Sequence, residues 1–197
     1  MSNEAAITII GLVILALVVV GIVLFVRQKQ RQRHLRETFG PEYNRAVEDA
    51  GSRRRAEQEL ADRERRHDEL DLKELAPEIR ARYAKEWTAV QEQFVDSPEA
   101  AVGEADRLVT VVMAERGYPT DDYQQRLDHL SVEHARTLDH YRSARTINER
   151  RRSHEATTED LRQAMVHYRA LFADLLGSPQ TAGGGTGDGH ADNRQDR

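Results

Sequence analysis

Residues 5–26, AAITIIGLVILALVVVGIVLFV, form an unbroken apolar run whose only strongly polar side chain is Thr8. The run is 22 residues long. At about 1.5 Å per residue it makes an α-helix of roughly 33 Å, enough to cross a hydrocarbon core of about 30 Å. Helix is the form required there, because it satisfies its own backbone hydrogen bonds in lipid. A cleaved secretory signal would instead show a positive leader, a shorter apolar stretch and a small-x-small cleavage site. The leader here is MSNE, with an acid and no base, and Phe25-Val26-Arg27 closes the run. These features predict a short tail, residues 1–4, followed by an uncleaved single transmembrane helix, residues 5–26. Nothing ionisable lies within it, which argues against a transport path. Gly11 and Gly21 are its only glycines and no small residues lie four apart, so the close-packed helix-dimer motif is missing.

The flank sets the orientation. Residues 27–36 carry Arg27, Lys29, Arg31, Arg33 and Arg36, against no base before the run. The positive-inside rule places the N-terminus outside the cell membrane and the rest of the chain in the cytoplasm, with the bundle outside the cell as the competing topology. The lipid bilayer is thus the first expected partner. The same collar attracts anionic lipid head groups, although setting topology suffices to explain it. The whole chain has 29 basic and 34 acidic residues. Without Glu4 and the five collar bases, 24 basic and 33 acidic groups remain. An acidic remainder is a poor match for phosphate backbones, so no nucleic acid is expected as partner. Arg53–Arg55 and Arg150–Arg152 are each followed closely by acids and read as solvated helix faces. The absence of cysteine excludes thiolate chemistry and disulfides.

Beyond the collar the prolines punctuate a helical array. Pro41, Pro77, Pro98 and Pro119 each follow a helix stop, as expected of a residue favoured in the first turn and resisted inside a helix. In 77–95, Tyr83, Trp87, Val90 and Phe94 make one apolar stripe. Segment 98–116 offers Val102, Ala105, Leu108, Val109 and Val112, with Ser97 as N-cap and Gly117 as the C-terminal glycine. Segment 120–130 turns Tyr123, Leu127 and Leu130 inward, and 132–150, with Ser131 as its expected cap, adds Ala135, Leu138, Tyr141, Ala144 and Ile147. Thr157 to Asp160 opens 158–176 like a capping box, ahead of Leu161, Met165, Tyr168, Phe172 and Leu175.

Segment 53–75, after a break at Gly51-Ser52, has seven basic and eight acidic residues and a thin seam of Leu60, His67, Leu70 and Leu75. It reads either as a peripheral helix or as a stalk, within charged linker helices over 37–76. No segment alternates like a strand. The expected fold is all-α: the transmembrane helix, a bundle of four to six helices with its core in 77–177, and a disordered Gly-rich tail over 178–197.

Signatures of chemistry are sparse. The stretch LDHLSVEHARTLDHY places His129, His134 and His140 five and six residues apart. Helical metal ligands converge at i, i+3 or i+4, whereas six residues turn through about 600° and leave His134 and His140 divergent. No metal, cofactor or catalytic residue is therefore expected. Gly-x-Ser-x-Gly is lacking, and Gly183–Gly185 has neither a preceding strand nor a following Lys-Ser/Thr. The tyrosines Tyr83, Tyr123, Tyr141 and Tyr168 lie on apolar faces and read chiefly as core. Tyr83, Trp87 and Tyr168 are the residues that would line a groove between helices if one exists.

Several motifs together resemble a known family. They are Phe39-Gly40-Pro41-Glu42-Tyr43, then Tyr83, Trp87, Val90, Gln91, Phe94, Val95, Asp96 and Pro98, then Glu104-Ala105-Asp106 with Leu108-Val109. Arg116-Gly117-Tyr118-Pro119, Tyr168-Arg169 and Leu171-Phe172 complete them. Across about residues 34–176 the chain resembles an uncharacterised bacterial, largely actinobacterial, family of single-pass membrane proteins. The resemblance implies a membrane-anchored helical domain and brings no assigned activity. The expected function is a non-enzymatic, membrane-anchored interaction or scaffold protein acting through an unknown protein partner. The alternative is a tethered small-molecule sensor or enzyme domain with a pocket between helices.

Overall fold

The computed structural model describes residues 3–177, with side chains described at Leu12 and from residue 15 onward. The expected tail, 178–197, lies outside the described residues. The described chain is all-α, with no strand: α1 (Asn3–Phe39), α2 (Pro41–Ala50), α3 (Arg53–Asp68), α4 (Pro77–Asp96), α5 (Pro98–Arg116), α6 (Tyr123–Glu133), α7 (Leu138–Arg152) and α8 (Thr158–Leu175). Seven helices follow α1, where four to six were expected; the short α2 and α6 stand as separate elements. Among the described residues no helix is long and apolar enough to cross a membrane. Of the run 5–26, the side chains of residues 5–11, 13 and 14 lie outside those residues.

Pro77 and Pro98 occupy the first turns of α4 and α5, and Gly117 closes α5 in the left-handed region at φ 96°. Thr157 and Asp160 form the reciprocal capping box that opens α8. Two expected caps differ. Ser97 stands at its cap position without a side-chain hydrogen bond. Ser131 is buried within α6, its hydroxyl donating back to the Asp128 carbonyl, so the chain breaks at His134–Thr137 and α7 begins at Leu138.

The main core packs α4, α5, α7 and α8 with Leu127 and Leu130 of α6. The expected inward residues are buried except Phe94, Tyr123, Ile147 and, from the seam of 53–75, Leu70, which are half-buried against its edge. A second, smaller core joins Leu35 and Phe39 of α1 to Tyr43, Ala46, Ala56 and Leu60, with Val132 of α6 against it. Burying side chains such as Leu35 and Phe39 stabilises by about 1.5–3 kcal/mol each. This second core ties the end of α1 to the bundle. Of the two readings of 53–75, α3 is therefore the peripheral helix, continued by an extended segment that reaches the main core through Leu75. That segment passes so close to Gly117 that its Asp71 carbonyl lies 2.6 Å from where a Cβ would stand, and Lys73 N–H donates to the Arg116 carbonyl at 2.9 Å.

Candidate functional site

Three polar networks distinguish the molecule, two of them buried and one at the surface. The deepest centres on Asp106 of α5. Its carboxylate accepts from Tyr168 Oη of α8 at 2.9 Å and from Arg145 of α7 at 2.9 and 3.2 Å, with Arg152 at 3.8 Å. Burial and then the Asp106 charge push the Tyr168 hydroxyl far up, so it stays a donor. The one available signal was position: Asp106 falls on the apolar stripe, four residues after Val102 and three before Val109.

Glu42 is the second centre. Arg142 grips both its oxygens at 2.7 and 2.8 Å, and Arg63 approaches to 3.8 Å. Arg63 and Arg66 in turn reach Asp128 of α6 at 3.3 and 3.6 Å. These charge-assisted bonds join α2 and α3 to α6 and α7, beside the second core.

The third lines a surface concavity. Glu133, His134 and Asp174 form the wall shared by two hollows of about 700 and 380 Å³. One hollow is bounded by the end of α1 (Arg36–Thr38), the other by Arg80 and Arg116. His134 Nδ1 lies 2.8 Å from Asp174, and Arg116 Nη1 lies 3.1 Å from His134 Nε2. A guanidinium only donates, so Nε2 must accept and Nδ1 carries the proton donated to Asp174. Thr137 also donates to Asp174 at 2.7 Å, while Tyr118 Oη and Arg116 Nη2 donate to Glu133 at 2.7 and 3.3 Å. Burial raises both carboxyls, but these bonds and the neighbouring positive charge outweigh it, holding Glu133 and Asp174 below the usual carboxylate range. A His–Asp pair can orient a general base, yet both ring nitrogens are already engaged and no serine or threonine nucleophile faces Nε2 in this network. The arrangement acts as a closed electrostatic tie between α5, the α6–α7 break and α8.

The expected groove residues face different surroundings. Tyr83 is buried with its hydroxyl 3.4 Å from Glu115, and Trp87 stacks on Phe172 at 4.8 Å. Tyr168 faces the Asp106 centre instead. Trp87 borders a hollow of about 150 Å³ with Gln91, Phe94 and Met165, and that hollow includes neither tyrosine. The histidines separate, though not along one helix as expected, because the chain breaks at His134: His129 lies near His67, His134 meets Asp174, and His140 meets His167 at 2.9 Å. No group of three or more His, Cys, Asp or Glu is placed to hold a metal ion among the described residues. The collar residues Arg27, Lys29, Arg31, Arg33 and Arg36 all lie exposed along α1, with Arg36 over the Tyr43 ring at 5.0 Å.

Comparison with family models, with curated proteins and with solved structures finds no match for the chain.

Proposed function

We propose that the protein is a non-enzymatic, single-pass membrane anchor that holds a helical interaction module at the cytoplasmic surface of the cell membrane. The observation that carries the reading is the lone apolar stretch of α1. Leu12, Leu15, Leu17–Val20 and Ile22–Val26 are large hydrophobics 44–67% exposed. Consecutive residues turn by about 100°, so such a stretch is apolar on every face. A helix apolar all round belongs inside a large core or a bilayer. Among the described residues no other helix buries this stretch, and the sequence continues apolar back to Ala5. The basic collar supports the orientation with the N-terminus outside. The resemblance to a bacterial, largely actinobacterial, single-pass family agrees with the reading. The closed hydrogen bonding of Glu133, His134 and Asp174 supports a binding role over catalysis.

The chain has no native cysteine, so single cysteines before the run and in 178–197 can be labelled with an impermeant thiol reagent on intact cells. Labelling confined to the N-terminal position is expected; labelling of the C-terminal position alone contradicts the orientation. Affinity capture from solubilised membranes should recover a protein partner or a second copy, and repeated recovery of neither contradicts the interaction role.

A further inference from the structure

The sequence reads Arg53–Arg55 as a solvated helix face, but the fold brings the start of α3 back against the collar of α1. A notch of about 760 Å³ between them is walled by Leu24, Arg27, Gln28 and Arg31 of α1 and by Arg54, Glu57, Gln58 and Asp62 of α3. On the other side, a smaller hollow of about 310 Å³ takes in Phe25, Lys29 and Arg53. Five cations from two helices thus face two acids, and both acids are engaged elsewhere: Glu57 accepts from Tyr43 Oη at 2.8 Å, and Asp62 pairs with Arg65 at 3.0 Å. Among the described residues, none of Arg27, Lys29, Arg31, Arg53 and Arg54 has a carboxylate within 4.0 Å. The first turn of α3 holds no acid either.

We propose that this notch binds the phosphate of an anionic lipid head group, through Arg27 and Arg31 from one side and Arg54 from the other. The inference rests on the anchoring proposed above, and the level of the notch favours a lipid over a free anion. The head-group layer adds about 5–8 Å to each side of a hydrocarbon core of about 30 Å. Arg27 to Arg31 lie one to five residues past Val26, roughly 1.5–7.5 Å along the helix, which is the same layer. Leu24 and Phe25, in the walls of the two hollows, would meet the acyl chains. Guanidinium forks from opposite walls suit a phosphate's several oxygens. The contact would fix the bundle's tilt, because α3 is packed on α6 while α1 enters the lipid.

The test uses the full chain in phosphatidylcholine vesicles, with and without phosphatidylglycerol, and follows amide hydrogen exchange over residues 53–57. Phosphatidylglycerol should slow exchange by about threefold or more, as mass action requires once lipid exceeds its half-saturating level a few times over. Arg54→Gln should remove most of that protection, and the remote, charge-matched Arg169→Gln should leave it intact. Equal exchange in the two vesicle types, or equal effects of the two variants, overturns the proposal. Protection by inorganic phosphate alone in phosphatidylcholine vesicles overturns the lipid assignment. Alkaline carbonate keeps the two readings apart. A chain it extracts has lost the anchoring and this proposal with it, whereas a retained chain indifferent to phosphatidylglycerol refutes the head-group site alone.

Discussion

Replacing Asp106 with alanine removes the one acceptor shared by α5, α7 and α8. The Arg145 side chain is only 13% exposed and loses its 2.9 Å partner, and the fully buried Tyr168 hydroxyl loses its only bond. Breaking one side of a buried ion pair costs about 3–5 kcal/mol, because the other charge remains in place. An orphaned buried hydroxyl adds about 1–3 kcal/mol where nothing relaxes. Arg145 relaxes in part, since Glu149 lies 3.9 Å away, so the two penalties do not sum in full. The expected loss is about 3–5 kcal/mol, or roughly 9–15 °C in Tm at about 3 °C per kcal/mol for a domain of this size. Trp87 is the chain's single tryptophan and stacks on Phe172 in the main core, so its fluorescence in detergent-solubilised protein follows this unfolding directly. Asp106→Asn, which keeps an oxygen for Tyr168, should cost less than alanine. Asp106→Leu combined with Arg145→Met and Tyr168→Phe should recover most of the loss, because no charge or hydroxyl is then stranded. An alanine variant within about 1 kcal/mol of the parent, or a triple variant no better than alanine alone, would mean that Asp106 does not hold a stabilising buried pair.

Three further outcomes follow from the same structure. Gly117→Ala must hold φ near 96° and push a Cβ against the Asp71 carbonyl at 2.6 Å, so it should destabilise by about 1–3 kcal/mol in the same unfolding measurement. Glu42→Ala removes the buried carboxylate that ties Arg142 to α2, leaving Arg142 with Asp139 and Arg63 with Glu59 and Asp128; limited trypsin digestion should cut faster at Lys73 while Trp87 fluorescence stays unchanged. Burial, and then the charge of nearby His67, hold His129 below its ordinary value of 6.5. The unfolded chain then binds more protons at acidic pH, so this contribution is intact above pH 6.5 and is lost as pH falls below it. Stability should decline between neutral and mildly acidic pH, and His129→Gln should flatten that decline in denaturant midpoints taken across the range.

Legibility in the sequence followed the range of the interaction. Pro77, Pro98, Gly117 and the Thr157–Asp160 box act within a few residues of themselves, and the helices they bound stand where the periodicity put them. Ser131 misled because a serine at a helix start and one whose hydroxyl bonds back inside a helix look alike in sequence. On α3, Arg63 pairs with Glu59 one turn away, while Arg66 turns to Asp128 on another helix. Asp106 and Glu42 are two acids among 34, and their arginines lie 39 and 100 residues away. Only the burial of their positions marks them. Sequence separation also hid the notch, since Arg53 and Arg54 meet the collar only because α2 turns the chain back.

In the proposed topology α1 crosses a bilayer and leaves it at the collar. The lack of native cysteine allows single spin labels at Leu17, Ile22, Arg27 and Gln30 of the full chain in vesicles, read by collision with oxygen and with a water-soluble nickel chelate. Oxygen should dominate at Leu17 and Ile22, and the balance should reverse between Arg27 and Gln30. Nickel access at all four positions would contradict that topology.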